Sequence, residues 1–157
     1  MIRVLFLCAG NICRSPMAEA VFMHKVKEAG LADKINADSA GTGAWHTGEA
    51  AQPGTRSILM EHGISYVGSA RQIVRQDFSD FDYIVAMDQH NLRNIQHLMR
   101  DSKAQVELFL SFANTAGLTG VQEVPDPYYN DRYDVVYELV EKGTNALLNH
   151  IRREHNV

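Results

Sequence analysis

The chain has 157 residues, of which 45% are hydrophobic and 22% charged, and its formal net charge is -4. This length fits one domain, spanning residues 1–157, with a sizeable core. The acidic balance offers no basic surface for nucleic acid or an anionic membrane. No segment approaches the roughly 18 consecutive apolar residues of a membrane span. Two cysteines are too few for a disulfide framework. We therefore expect a soluble, cytoplasmic protein.

The chain begins with an apolar run that leads into the segment CAGNICRSP at residues 8–16. The run from Val4 to Leu7 is shorter than the roughly 7–15 apolar residues of a signal peptide, so it predicts a first strand at about 3–7. Ser15 before Pro16 predicts the N-cap of a helix, with Glu19 near the positive end of its dipole. That helix is expected to run to about residue 29, with Gly30 closing it.

Short apolar runs and helical patterns alternate along the rest of the chain. This alternation predicts an open, largely parallel sheet covered by helices on both faces. Further strands are expected at about 35–39, 82–87 and 105–110, and further helices at about 55–62, after an N-cap at Asp88, and at about 133–153. The irregular stretch from about 111 to 130 is long for a compact domain, and such loops are often functional.

The segment after the first strand has the composition of an oxyanion cradle. Small Ala9 and Gly10 and the turn-tolerant Asn11 allow several backbone N–H groups to converge at a helix N-terminus. Arg14 adds a planar fork that can grip two oxygens. The same positive charges favour a thiolate at Cys8, which would make it a nucleophile toward phosphorus. Besides capping the helix, Ser15 is expected to donate to this thiolate and to ease its departure from a phosphocysteine.

Other interpretations of this segment are limited. The nucleotide-binding pattern GxxxxGK[ST] is absent, and residues 41–43 do not complete GxGxxG. The seven histidines show no recognised metal-ligand spacing, so we expect neither a metal nor a cofactor. From the residues alone, the alternative is a structural cysteine beside a surface arginine.

The run CAGNICRS resembles the loop pattern C-x-G-N-I-C-R-S of the low-molecular-weight protein tyrosine phosphatases. Further similarities extend over nearly the whole chain; they are DSAGT (38–42), HGI (62–64), ARQI (70–73), DFSDFDYIVAMD (77–88) and PDPYY (125–129). The resemblance implies a four-stranded parallel sheet in the order 2-1-3-4. It also implies metal-independent hydrolysis of phosphotyrosine through a phosphocysteine.

Loss of a tyrosine from phosphorus requires an acid that protonates the departing oxygen. Asp126 lies in the long irregular stretch between Pro125 and Pro127, which restrict the backbone around it. From the residues alone, Asp-Pro is also an ordinary turn. The resemblance assigns Asp126 as the general acid and then as the base that activates water.

The resemblance also implies roles for residues around the loop. Trp45, Tyr128 and Tyr129 match an aromatic rim that stacks on a phenyl ring, although aromatic residues of this kind can instead pack a loop. Asn11 and Ser39 match residues that hold the loop in shape, although either can instead be a plain turn residue. A supporting histidine of the family is replaced here by Gly68, and Asp88 is expected to be only a helix cap.

Ala9 and His46 lie at variable positions that tune substrate choice. The loop residues expected at the substrate are Ala9, Gly10, Asn11, Ile12, Cys13 and Ser15.

Three other functions remain as alternatives. An arsenate reductase on the same scaffold needs further cysteines, whereas this chain has only Cys13 besides Cys8. Similar protein arginine phosphatases carry threonine where this chain has Ile12. A silent phosphotyrosine-binding module would need neither Cys8 nor Asp126.

Phosphotyrosine-containing proteins are the expected partners, and inorganic phosphate or other oxyanions are expected at the loop. Bacterial relatives often act on tyrosine kinases, which makes a tyrosine kinase a candidate substrate. Cys13 suggests a redox hypothesis, in which a reversible disulfide with Cys8 protects the nucleophile from peroxide. The alternative is that Cys13 is only a small buried residue.

Overall fold

A single parallel sheet organises the molecule, for which a computed structural model describes all 157 residues. Its strands are β1 (Ile2–Cys8), β2 (Ile35–Gly41), β3 (Tyr83–Ala86) and β4 (Gln105–Leu108). They lie in the order β2-β1-β3-β4, and all three pairings are parallel. The expected fold class is therefore confirmed, with β1 in the interior of the sheet.

Helices cover both faces of this sheet. They are α1 (Arg14–Glu28), α2 (Pro53–Glu61), α3 (Asp77–Asp80), α4 (Gln89–Ile95) with a 3-10 turn (Gln96–Leu98), α5 (Ser111–Thr115) and α6 (Tyr133–His155). None of the helices is both long enough and apolar enough to cross a membrane.

The apolar run of β1 is uninterrupted because both faces of this strand are buried. Alternate side chains point to opposite faces. Val4 and Phe6 join the larger core cluster, which includes residues of α1 and α6. Leu5 and Leu7 join a smaller cluster on the other face. Cys8 continues the side of Val4 and Phe6, so the strand delivers it to the carboxyl edge of the sheet.

The first helix begins differently from the sequence-based prediction. It starts at Arg14, its N-cap is Cys13, and no side chain caps it. Ser15 is therefore not the N-cap, because its hydroxyl is directed to Cys8 instead. The prediction at Asp88 is confirmed, since its side chain forms a capping box with Asn91.

Two short helices were not predicted. They are α3, with four residues, and α5, with five. Neither is long enough to show a helical repeat of apolar residues. Because α5 occupies the start of the long stretch at 111–130, the irregular part of that stretch is shorter than expected.

Gly143 provides a test of packing between α6 and the end of β4. A Cβ atom at this position would overlap the ring of Phe109, which is fully buried and packs edge-to-face on Phe6. Alanine in a helix gains about 0.5–1 kcal/mol over glycine, whereas overpacking costs about 1–3 kcal/mol. We expect Gly143→Ala to lower the free energy of unfolding by about 1–2 kcal/mol in urea denaturation. Gly120→Ala is the control, since open space surrounds that position; an equal loss in both variants would contradict the packing argument.

Candidate active site

The loop between β1 and α1 is shaped by Asn11. Its backbone has φ of 59°, which is unusual for a residue other than glycine. The Asn11 amide nitrogen donates to Ser15 Oγ at 2.8 Å and to Ser39 Oγ at 2.9 Å, and its Oδ1 accepts from the Arg71 backbone N–H at 3.0 Å. These hydrogen bonds stabilise the strained backbone and fix the path of the loop.

The loop presents a series of unpaired donors. No backbone carbonyl accepts a hydrogen bond from the amides of residues 9–15. Pro16 has no N–H, and the first helical amide to donate is that of Met17, to Cys13 O at 3.4 Å. Donors of this kind at the start of a helix form a site for an oxyanion.

The end of β2 supports the loop from one side. Thr42 N–H donates to Cys8 O at 2.9 Å, and Gly43 N–H donates to Ala9 O at 3.2 Å. A Cβ at Gly41 would lie 2.7 Å from Ala9 O, so only glycine permits this close approach.

Cys8 lies at the entrance to the loop with its sulfur 3.0 Å from Ser15 Oγ. The Ser15 oxygen already accepts a hydrogen bond from Asn11. The serine hydrogen is therefore free to donate to the sulfur, which stabilises a thiolate.

Arg14 is buried, with only 3% of its surface exposed, and it is held by two acceptors. Its Nη1 donates to Asp88 Oδ2 at 2.6 Å and to Val124 O at 2.9 Å. Burial alone would lower the pKa of Arg14, but the charges of Cys8 and Asp88 outweigh it and leave the pKa raised. The expectation that Asp88 is only a helix cap is therefore wrong, because one carboxylate oxygen caps α4 and the other anchors Arg14.

Asp126 reaches the same site from the loop before α6. Its Oδ2 lies 3.7 Å from Arg14 Nη2, and its Oδ1 accepts from the Tyr128 backbone N–H at 3.1 Å. The second contact closes a local turn that orients the carboxylate. The side chain remains 32% exposed, so its oxygens are accessible to a ligand or to water.

These groups surround a cavity of about 480 Å³. Cys8, Arg14 and Asp126 line it, and Trp45, Tyr128 and Tyr129 form its rim. The aromatic rim is highly exposed, at 71% for Trp45 and 84% for Tyr129. Tyr128 packs edge-to-face on Tyr129, with the ring centroids 5.3 Å apart. His46 lies beside Gly10 at the same opening.

The residues named from the sequence fall into two groups. Of the loop residues expected at the substrate, Ala9, Gly10, Ile12 and Cys13 line the cavity together with Cys8, Arg14, Asp126 and the aromatic rim. Asn11, Ser15 and Ser39 do not line it; they lie behind the loop as its hydrogen-bonding support. Asn11 and Ser15 thus contribute side chains to the loop's shape rather than to the cavity wall.

Cys13 is buried on the inner side of the loop, and its sulfur is 3.7 Å from the Tyr133 hydroxyl. Burial raises the pKa of Cys13 to about 12, against the lowering effect of the Tyr133 hydrogen bond. The Cys13 thiol is therefore protonated at neutral pH.

Sequence reasoning missed the support beyond Ser39. The Ser39 hydroxyl donates to Glu19 Oε1 at 2.6 Å, and the Tyr66 hydroxyl donates to the same oxygen at 3.2 Å. Burial raises the pKa of Glu19 to about 7, although both hydrogen bonds act to lower it. The sequence places Glu19 near the positive end of the helix dipole, but no spacing in it connects Glu19 with Tyr66.

Arg71 was also missed as a support for the site. Its guanidinium bridges Asp38 and Asp77 at 3.0–3.2 Å, while its backbone N–H holds Asn11. The motifs DSAGT and ARQI contain two of these residues, but only the fold brings them together.

The fold and the site together define a protein that holds an oxyanion against a cysteine at the carboxyl edge of a parallel sheet. A family profile for the low molecular weight phosphotyrosine protein phosphatases matches residues 3–157. The chain belongs to this family.

Individual relatives cover nearly the whole chain. It is 44% identical over 156 residues to the low molecular weight protein-tyrosine-phosphatase YfkJ of Bacillus subtilis, covering 98% of each chain. It is 45% identical to a low molecular weight protein-tyrosine-phosphatase of Streptomyces coelicolor, covering 97% of this chain and 94% of the relative.

Solved structures show the same fold. The crystal structure of YfkJ matches with a TM-score of 0.92 and 43% identity, covering 98% of this chain and 96% of that one. The structure of a Drosophila arginine phosphatase matches with a TM-score of 0.88 and 32% identity, covering 96% of this chain and 98% of that one.

Glu19 makes stability depend on pH. Because its pKa rises from 4.5 to about 7 on folding, the native state favours the neutral carboxyl, and this stabilisation is lost as pH rises through that interval. At about 1.4 kcal/mol per pH unit, the whole effect is roughly 3 kcal/mol. We expect the free energy of unfolding of the wild type, relative to Glu19→Gln, to fall by about 2–3 kcal/mol between about pH 4.5 and pH 8. A constant difference between the two proteins, measured in urea at each pH, would show that Glu19 titrates normally.

Proposed function

We propose that this protein hydrolyses phosphotyrosine in proteins through a covalent phosphocysteine intermediate. The observation that carries the proposal is the position of Cys8 at the entrance to a loop of unpaired amides, with Arg14 buried beside it. A phosphoryl group in this loop would be bound by several N–H donors and by the guanidinium, and phosphorus would lie against the sulfur.

In the first step the Cys8 thiolate attacks phosphorus, and the bond from phosphorus to the tyrosine oxygen breaks. Asp126, in its protonated form, gives its proton to the departing oxygen, so tyrosine leaves as a neutral phenol. The amides and Arg14 stabilise the charge on the three remaining phosphoryl oxygens in the transition state. The products of this step are the free tyrosine hydroxyl and phosphocysteine.

In the second step Asp126, now a carboxylate, takes a proton from water as the water oxygen attacks phosphorus. The sulfur–phosphorus bond breaks, inorganic phosphate forms and the Cys8 thiolate returns. The Ser15 hydroxyl, 3.0 Å from the sulfur, favours this step because it stabilises the leaving thiolate. Asp126 ends the cycle protonated and ready for the next substrate.

The walls of the cavity favour an aromatic substrate. Trp45, Tyr128 and Tyr129 offer ring faces and edges to a phenyl group. Ile12 adds an apolar side chain inside the cavity, where a polar residue would suit a phosphoguanidinium better. Phosphoserine is too short to bring its phosphorus to Cys8 while its peptide stays outside the rim.

The substrates are phosphotyrosine-containing proteins, among which a tyrosine kinase is a candidate. We propose that the enzyme works in the cytoplasm as one domain, where reducing conditions keep Cys8 active. A disulfide between Cys8 and Cys13 under peroxide stays a prediction; the raised pKa of Cys13 makes that cysteine a slow resolving partner.

Hydrolysis of p-nitrophenyl phosphate in the presence of EDTA tests the roles of Cys8 and Asp126. We expect Cys8→Ser to abolish turnover, because the serine hydroxyl does not ionise at neutral pH. We expect Asp126→Ala to reduce kcat by about 10²–10⁴-fold, since it removes the proton donor. Cys13→Ser is the matched control for loss of a loop thiol. Because it keeps Cys8, it should retain turnover.

The phosphocysteine itself is a second readout. Rapid quenching of Asp126→Ala with substrate should trap phosphate on Cys8, which peptide mass spectrometry detects. Binding of phosphotyrosine by the wild type without any turnover would make the protein a binding module and would contradict the mechanism.

Substrate selectivity is tested with peptides of one sequence that carry phosphotyrosine, phosphoserine or phosphoarginine. We expect kcat/KM for phosphotyrosine to exceed the others by at least about 10²-fold. Phosphoserine is too short for its phosphorus to reach Cys8, and phosphoarginine has no phenyl ring to contact the rim and Ile12. Ile12→Thr should narrow the gap between phosphotyrosine and phosphoarginine. A preference of the wild type for phosphoarginine would instead assign the protein to the alternative activity.

A further inference from the structure

The hydrogen-bond support of the nucleophile ends in a tyrosine–glutamate pair that lies outside the catalytic cavity. Glu19 and Tyr66 line a separate groove on the far side of the loop. The Tyr66 hydroxyl donates to Glu19 Oε1, the same oxygen that accepts from Ser39. Burial and the adjacent Glu19 raise the pKa of Tyr66, so the phenol keeps its proton and remains a donor.

Gly68 makes room for this contact. A Cβ atom at position 68 would lie 2.5 Å from the Tyr66 hydroxyl oxygen and 2.8 Å from the adjacent ring carbon. A side chain there would displace the hydroxyl from Glu19. The φ of Gly68 does not lie in the left-handed region, so space rather than backbone conformation favours glycine.

The direction of each hydrogen bond from Cys8 to Glu19 is determined by its neighbours. Asn11 Oδ1 accepts from Arg71, which fixes the amide so that its nitrogen donates to both serines. Ser15 is then left with its hydrogen for the Cys8 sulfur, and Ser39 with its hydrogen for Glu19. This series of hydrogen bonds therefore ends at Glu19, which must accept from Ser39. An ionised carboxylate accepts more strongly than a neutral carboxyl.

Several charges act on Glu19 from the elements around it. Asp38 of β2 opposes ionisation of Glu19, and Arg71 favours it. The groove also carries His24 and Lys27 of α1. Desolvation is the largest effect and disfavours the carboxylate, so the Tyr66 and Ser39 hydrogen bonds are the direct contacts that support it.

We propose that Tyr66 is a positioning residue for the nucleophile: its hydroxyl, for which Gly68 leaves room, stabilises the ionised form of Glu19, the acceptor at the end of the hydrogen-bond chain to Cys8. The tyrosine acts through Glu19, Ser39, Asn11 and Ser15 and does not touch the substrate. This inference rests on the proposed role of Cys8 as nucleophile, so its test uses two readouts that need no phosphatase turnover.

The first readout is the titration of Glu19 itself. Carbon-13 NMR of side-chain carboxyls follows each glutamate with pH, and Glu19→Gln identifies the resonance. We expect Tyr66→Phe to raise the pH at which Glu19 titrates by about half a unit to one unit, because one hydrogen bond to the carboxylate is lost. An unchanged titration would overturn the proposal.

The second readout is the rate at which iodoacetamide alkylates Cys8, measured by peptide mass spectrometry. Cys13 is distinguished by its peptide fragments, and its raised pKa makes it slow to react. We expect Tyr66→Phe to slow alkylation of Cys8 by about three- to tenfold near pH 6.5 and to match the wild type near pH 9, where Glu19 is ionised in both proteins. If repulsion between ionised Glu19 and the Cys8 thiolate were the only effect, Cys8 would be alkylated faster in Tyr66→Phe than in the wild type. That result would also overturn the proposal.

Two further variants separate positioning from a general loss of stability. Tyr137→Phe is the matched control, since the Tyr137 hydroxyl donates to Glu141 at 3.4 Å away from the site; it should change neither readout. Gly68→Ala should reproduce Tyr66→Phe, and the double variant should add little, because both changes remove the same contact. Additive losses would contradict the assigned role of Gly68.

The test also separates this inference from the proposed function. If the wild type hydrolyses no phosphotyrosine but Tyr66→Phe shifts both readouts, the proposed activity fails and the positioning role stands. If the wild type is an active phosphatase and neither readout moves, the positioning role fails alone.

Discussion

The site depends on the hydrogen bonds that hold Asn11 in a left-handed backbone conformation. A residue other than glycine adopts this conformation at a cost of about 1–3 kcal/mol, and here three side-chain hydrogen bonds offset it. With Asn11 so fixed, the chain can turn from β1 into α1 while its amides stay unpaired. An anion in the loop can then accept hydrogen bonds from the amides of residues 9–15, which no backbone carbonyl of the protein accepts.

The buried arginine sets the charge balance around this loop. Arg14 could not be buried alone, because an unpaired charge in the interior is strongly destabilising. Asp88 compensates it from the neighbouring strand end and also fixes its direction. Asp126 is more distant and more exposed, so its carboxylate remains accessible from the cavity. One carboxylate therefore holds the guanidinium, whereas the other faces the cavity that the unpaired amides and Cys8 also line.

Sequence patterns predicted the parts of the structure that depend on local chain properties. The apolar run of β1, the long amphipathic repeat of α6 and the cap at Asp88 all follow from neighbouring residues. The resemblance supplied the strand order and the cavity residues. What escaped prediction depends on contacts between distant segments. The hydrogen bonds of Glu19 with Ser39 and Tyr66 are of this kind, because they join α1, β2 and the segment before β3.

The contact of Tyr66 with Glu19 is the clearest case of such a nonlocal feature. The sequence shows that Gly68 stands where the family has a supporting histidine. It does not show which other residue donates a hydrogen bond to Glu19. The glycine removes a side chain and thereby opens the space that the Tyr66 hydroxyl occupies. Glu19 thus has a hydrogen bond from Tyr66, whose phenol cannot gain a positive charge. Within this pair only Glu19 changes its charge near neutral pH, because burial and the adjacent Glu19 raise the pKa of Tyr66 further above that range.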